Sequence, residues 1–137
     1  MLRGSLTALA TPFENNCVDE AVFTALIEHQ IASGTQAIVV AGTTGEAPTL
    51  SVEERLRIIE TAVCVSAGRV PIIAGTGTNS TDMSVQNQKH AKTIGVDVGL
   101  VVTPYYNKPS QNGILAHYHL KFRPNLAILP LYVGFEI

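Results

Sequence analysis

The sequence predicts an α/β fold of repeated strand–helix units laid on a parallel sheet. Three observations carry that prediction. Short, continuous runs of Ile, Val, Leu and Ala recur along the chain, as strands buried on both faces require. Each run ends in a cluster of Gly, Thr, Pro or Asn, and the first residues of these clusters, Thr11, Gly42, Gly75 and Thr103, lie 31, 33 and 28 residues apart. A spacing near 30 is that of one βαβ unit. The segments between the runs carry helical caps and apolar stripes.

The first run is Leu6–Ala10, ending in Thr11-Pro12. A helix follows, with Asp19 as N-cap, an apolar stripe of Val22, Phe23, Leu26, Ile27 and Ile31, and Gly34 as stop. The second run, Ala37–Ala41, ends in Gly42-Thr43-Thr44-Gly45. Ser51 and Glu54 have the spacing of a capping box, in which each satisfies the other's backbone donor. Leu56, Ile59 and Val63 then form a stripe that Gly68 ends. The third run, Pro71–Ala74, leads into Gly75-Thr76-Gly77-Thr78-Asn79. A more polar helix runs from an N-cap at Ser80 or Thr81 to Gly95. The fourth run, Gly99–Val102, ends in Thr103-Pro104-Tyr105-Tyr106, and a fourth helix begins near Ser110 and includes Ile114, Leu115 and Tyr118. Beyond about His119 the pattern breaks. Pro124 cannot continue a helix, and Ala127–Val133 reads as a fifth strand that Pro130 demotes from any central position.

Composition narrows the function classes. Of 137 residues, 46 % are hydrophobic and 15 % charged, which suits one globular domain over 1–137 and excludes disorder. Nine Lys and Arg against eleven Asp and Glu, with no basic cluster, argue against a nucleic-acid partner. The N-terminal apolar stretch, broken by Ser5 and Thr7, is too short for a secretory signal, and no run approaches the ~18 residues of a membrane span. Cys17 and Cys64 lack metal-ligand spacing, so reduced thiols in a cytoplasmic protein are expected. A closed eight-stranded barrel needs roughly 200 residues or more, so this length excludes it.

In such folds the loops after the strands gather on one face, where the chemistry resides. Gly42–Glu46 brings two hydroxyls and several backbone N–H groups together, as a carboxylate or carbonyl oxygen needs; the alternative is a tight turn whose hydroxyls bond to itself. Gly75–Asn79 lacks both the GxGxxG pattern and the P-loop lysine, so its glycines are expected to let the backbone approach a neighbouring loop or ligand. Tyr105 and Tyr106 cannot both enter one core layer; one is expected to pack and the other to reach solvent, ligand or a partner chain. His29 and His90 are expected on solvent-facing helix surfaces, and His117 and His119, two apart, do not share a helical face for a metal.

Taken in order, these loops resemble the dihydrodipicolinate synthase family of pyruvate-dependent class I aldolases. The matching pieces are Gly4-Ser5 with Thr11-Pro12, residues 32–35, residues 42–46, residues 71–77 and residues 103–111, so the likeness covers residues 1 to about 119 and leaves 120–137 as an atypical tail. Thr43-Thr44 with Tyr105-Tyr106 resembles the synthase more than N-acetylneuraminate lyase, the alternative aldolase. The resemblance implies the N-terminal half of a (β/α)8 TIM barrel: four βα units plus the fifth strand. It implies condensation of pyruvate with aspartate semialdehyde through a lysine Schiff base on the diaminopimelate route to lysine. No metal or organic cofactor is implied, and the family is homo-oligomeric, usually tetrameric. By the same likeness Thr43 is the proton-relay threonine, Thr44 holds the pyruvate carboxylate, and Tyr106 is the relay tyrosine that reaches a neighbouring subunit. Tyr105 and Asn79 lie near the family's lysine-feedback region. Tyr132 falls about where the family puts its central catalytic tyrosine, without the Asn-Val-Pro that should follow.

The nucleophile can be tested against the sequence directly. A Schiff-base lysine must be largely neutral near pH 7, which requires burial or a cationic neighbour. Lys89, Lys92, Lys108 and Lys121 lie on a polar helix, a Pro-flanked loop and a broken helix end, and none ends a buried strand. The sequence therefore reads as the N-terminal half of a synthase that loses the family pattern near His119, before the nucleophile, and that is inactive alone. The rival of a different class is a non-catalytic fragment that pairs through the Tyr105-Tyr106 loop.

Overall fold

A computed structural model describes residues 2–119 and 126–131. Five strands form one sheet in the order β1-β4-β5-β6-β7: Leu6–Ala8 (β1), Ala37–Val40 (β4), Ile72–Gly75 (β5), Val98–Val102 (β6) and Ala127–Leu131 (β7). Every neighbouring pair is parallel, and chain order equals spatial order. The strand–helix rhythm of the sequence is thus the architecture. A two-stranded antiparallel hairpin, Phe13–Glu14 (β2) with Cys17–Val18 (β3), lies outside that rhythm. Asn15 and Asn16 turn it with φ of 49° and 62°, the left-handed pair that a tight hairpin needs.

The helices begin where their caps predict. Glu20–Ala32 (α1) starts at Asp19, whose Oδ1 accepts the Val22 N–H at 2.9 Å. Val52–Ser66 (α2) carries the full capping box: Glu54 N–H donates to Ser51 Oγ at 3.1 Å and Ser51 N–H to Glu54 Oε2 at 2.8 Å. Thr81–Ile94 (α3) is capped by Ser80 rather than Thr81, and Gly95 ends it with φ of 102°. Gln111–His119 (α4) follows the Ser110 turn. One stripe residue is corrected. Val22 is 46 % exposed, because at about 100° per residue it lies beside the line of Phe23 and Ile27, which are buried.

Pro130 is accommodated. β7 pairs with β6 over its whole length, with Val101 opposite Pro130, and it is the last strand of the described sheet. An edge strand needs hydrogen bonds on one side only, so the missing N–H is tolerated there.

The two faces of the sheet differ. Ile38, Val40, Ile72 and Ala74 join Phe23, Ile27, Ile58, Ile59, Ala62 and Ala91 in the core between sheet and helices. At the surface of that layer Arg69 forks onto Glu28 through bonds of 2.8 and 2.6 Å, which holds the Glu28 carboxyl below the ordinary carboxylate range. The other face alternates with the first. Strand register brings Ala8, Val39 and Ile73 into one row and Gly75, Leu100 and Leu129 into another. Much of this second face is open: Leu129 and Leu131 are 39 % and 36 % exposed.

Candidate active site

The loops after β4, β5 and β6 meet at the C-terminal end of the sheet because the strands are parallel and adjacent. Their close approach depends on glycine. A Cβ on Gly75 would lie 1.8 Å from the Ala41 carbonyl oxygen, and one on Gly77 would lie 2.4 Å from the Val102 nitrogen. The glycines of Gly75–Asn79 therefore serve backbone contact between adjacent strand ends. Thr76 and Gly77 N–H groups both donate to the Leu100 carbonyl, at 3.0 and 3.2 Å.

Residues 42–46 form a turn closed by Gly45 N–H to Gly42 O and Glu46 N–H to Thr43 O, both 3.1 Å. Ala41 and Glu46 bracket it with φ of 51° and 57°. Thr11, buried at the end of the first strand run, pins the turn by donating its hydroxyl to the Gly45 carbonyl at 2.8 Å. Thr43 and Thr44 stay exposed, and among the described residues neither hydroxyl is engaged in a hydrogen bond. The turn and the free hydroxyls thus coexist, which the sequence had offered as alternatives.

The tyrosines separate. Tyr105 is 40 % exposed and lines a cavity of about 580 Å³, together with Thr43, Gly75, Asn79, Leu100 and Leu131. Tyr106 is 91 % exposed with φ of 68°, a conformation rare for a bulky residue. The loop is held across to β5 by a pair of amides: Asn107 Nδ2 donates to the Asn79 carbonyl at 2.8 Å, and Asn79 Nδ2 to Asn107 Oδ1 at 3.4 Å. Thr103 is buried and ties β6 to β7 through Leu131 O, at 2.9 Å from its N–H and 3.1 Å from its hydroxyl.

Of the residues singled out from the sequence, Thr43 and Tyr105 share the cavity, Thr44 adjoins it in the same turn, and Tyr106 projects outward. Tyr132 and Lys121 lie outside the described residues. Lys89, Lys92 and Lys108 are all exposed, the first two on α3 and the third in the loop before α4. His29, His90 and His119 are exposed, while His117 is buried, accepts or donates at 2.9 Å with Thr81 Oγ1, and has its pKa pushed down by desolvation. Among the described residues no three His, Cys, Asp or Glu side chains gather as a metal site, and no helix is long and apolar enough to cross a membrane.

Three contributors escaped the sequence. Thr11 and Asn107 act through partners 34 and 28 residues away, so no local pattern marks them, although Thr11 opens one strand-end cluster and Asn107 directly follows another. Arg55, a cavity residue on α2, looks in sequence like any polar position of an amphipathic helix.

The sequence model of the Dihydrodipicolinate synthetase family matches residues 1–121. The 4-hydroxy-tetrahydrodipicolinate synthase of Hyphomonas neptunium is 55 % identical over 118 residues, covering 86 % of this chain and 40 % of its own length. That of Bartonella bacilliformis is 56 % identical over 119 residues, with the same two shares. The crystal structure of dihydrodipicolinate synthase from Aquifex aeolicus superposes with a TM-score of 0.91 at 46 % identity, covering 94 % of this chain and 44 % of that one. The chain therefore spans about two fifths of the length of the curated relatives it matches. Its parallel sheet and helices correspond to an N-terminal half of the (β/α)8 barrel. On this evidence the chain belongs to the dihydrodipicolinate synthetase family.

Proposed function

We propose that this chain carries the N-terminal part of a 4-hydroxy-tetrahydrodipicolinate synthase site, which condenses pyruvate with aspartate semialdehyde in cytoplasmic lysine biosynthesis. The observation that carries the reading is the convergence of Thr43 and Tyr105 on one cavity at the C-terminal ends of parallel strands, with Thr44 beside it. Thr44 offers a hydroxyl donor to the pyruvate carboxylate. Thr43 and Tyr106 belong to a hydroxyl relay, since Thr and Tyr each donate and accept and so pass a proton without a change of residue. Tyr106, strained and outward-facing, suits a role completed across a subunit boundary in a homo-oligomer. Tyr132 is the remaining tyrosine of this assignment.

The covalent step needs an amine that the described lysines do not offer. A Schiff-base amine has to lose its proton, which exposed lysines in high dielectric resist. Lys89, Lys92 and Lys108 are exposed, and none stands at a strand end. Among the described residues the chain thus holds carboxylate-binding and relay groups without the amine that forms the Schiff base. Incubation of the purified chain with pyruvate and borohydride, read by intact mass, is expected to give no adduct; a reduced pyruvate adduct would overturn the assignment. In parallel, Thr44→Val is expected to weaken pyruvate binding several-fold, read by ligand-observed NMR, and an unchanged affinity would remove Thr44 from the site.

A further inference from the structure

Asn112-Gly113 is the one Asn-Gly pair in the sequence. An asparagine before glycine is especially open to attack by its own backbone, because the following nitrogen carries no flanking side chain and reaches the amide carbon unhindered. The fold places this pair in the first turn of α4, directly after Ser110. Asn112 is exposed, and among the described residues its side-chain amide has no hydrogen-bond partner. The Gly113 N–H belongs to the group that a helix start leaves without a main-chain partner, and it donates to Ser110 Oγ at 3.2 Å. Ile114 N–H closes the turn on Ser110 O at 2.9 Å. The buried residue of α4 is His117, a turn further on, while Gln111 and Asn112 are exposed and Gly113 and Ile114 half-buried. Opening the first turn therefore uncovers no fully buried side chain, which sets it at the low end of local unfolding free energies.

Packing does not demand the glycine. A Cβ on Gly113 would meet Pro109 Cβ and Ser110 Oγ at 3.4 Å, an ordinary contact, and its φ is not positive. The same turn also lacks a charge that the other helices have. Glu20 on α1, Glu53 and Glu54 on α2 and Asp82 on α3 stand in first turns, where the helix dipole favours a carboxylate, and α4 has no acidic residue there. We propose that Asn112 is a self-modification site, whose amide the Gly113 nitrogen and water convert to a carboxylate at a rate set by opening of the first turn of α4. Once the turn opens, the Gly113 N–H gives its proton to hydroxide and the nitrogen attacks Asn112 Cγ. The N–Cγ bond forms, the Cγ–Nδ2 bond breaks, and Nδ2 leaves as ammonia. Water then opens the cyclic imide. Cleavage of the N–Cγ bond restores the main chain with aspartate at 112, and cleavage at the main-chain carbonyl carbon gives isoaspartate. Nothing is oxidised or reduced. The inference is independent of the assignment of Thr43, Thr44 and Tyr106, none of which takes part.

Incubation of the purified 137-residue chain at mildly alkaline pH, read by peptide mapping with mass spectrometry and by isoaspartyl methyltransferase labelling, tests the proposal. The peptide carrying Asn112 is expected to gain the mass of an amide-to-acid conversion, with both aspartate and isoaspartate formed. Its rate is expected to exceed those at Asn79, Asn87 and Asn107, each followed by a residue with a side chain, at least about tenfold. Gly113→Ala, which the fold accommodates, is expected to slow the conversion at least about tenfold. Ser110→Ala removes the acceptor that holds the Gly113 N–H and is expected to speed it several-fold. In denaturing urea the unmodified and Ser110→Ala chains are expected to convert at one rate, since the turn is then absent from both. Conversion at Asn112 no faster than at the other three asparagines, or an unchanged rate in Gly113→Ala, overturns the proposal. An unchanged rate in folded Ser110→Ala, or a difference from the unmodified chain that persists in urea, overturns the control by the turn.

Discussion

At Gly75 the chain has no room for a side chain. The Ala41 carbonyl would sit 1.8 Å from any Cβ, and the obstacle is backbone of the neighbouring strand end, which cannot rotate away. Gly75→Ala is therefore expected to destabilise the fold by about 3 kcal/mol, the upper part of the range for overpacking, read as a shift in the urea midpoint. A shift below the measurement error would mean that the β4 and β5 ends are farther apart than described. The glycine was visible in the sequence as part of a loop cluster, yet its obligate partner, 34 positions earlier, was not. Thr11 teaches the same lesson: its hydroxyl holds the Thr43-Thr44 turn from the end of another strand run. Local residue choice announces that a loop is special, while the contact that makes it special is made through the fold.

Helix boundaries were legible because capping is a local matter. Asp19, Ser51 and Ser80 each sit three residues before the N–H they accept, so the geometry is decided within one turn. The capping box at Ser51 satisfies two donors at once, and Ser51→Ala is expected to cost about 1 kcal/mol of stability by chemical denaturation, without moving the remaining helices. No measurable loss would show that α2 is held by packing against α1 and the sheet alone. Elements whose sense depends on neighbours were harder to read. The β2–β3 hairpin has two-residue strands, too short for any periodicity, and only Asn15-Asn16 announces its turn. Pro130 bars β7 from a central position, and the strand forms because its place at the edge of the described sheet leaves the missing N–H without consequence.

At the scale of the whole molecule the decisive fact is an asymmetry between the faces of one sheet. Helices cover one face with a continuous core, and the other leaves Leu100, Leu129 and Leu131 partly open. Apolar surface of this kind, next to an unpaired strand edge, favours association. The 137-residue chain is expected to self-associate with rising concentration in sedimentation velocity, and Leu129→Lys with Leu131→Lys is expected to reduce that association. A monodisperse monomer for the unmodified chain would show that this face is covered within the chain itself.

The sequence by itself determined the order of the parallel strands and the helices between them, the caps at Asp19 and Ser51, the strand-end loops and, through five ordered motifs, the family. These features are encoded in residues close together along the chain, where periodicity and capping act. Only the tertiary structure decided that Thr43 and Tyr105 share a cavity, that Tyr106 turns away from it, and that Arg55 of α2 stands in its wall. Those outcomes depend on which strand ends become neighbours and how closely their backbones pass, and distances across a sheet are fixed by packing rather than by spacing in sequence.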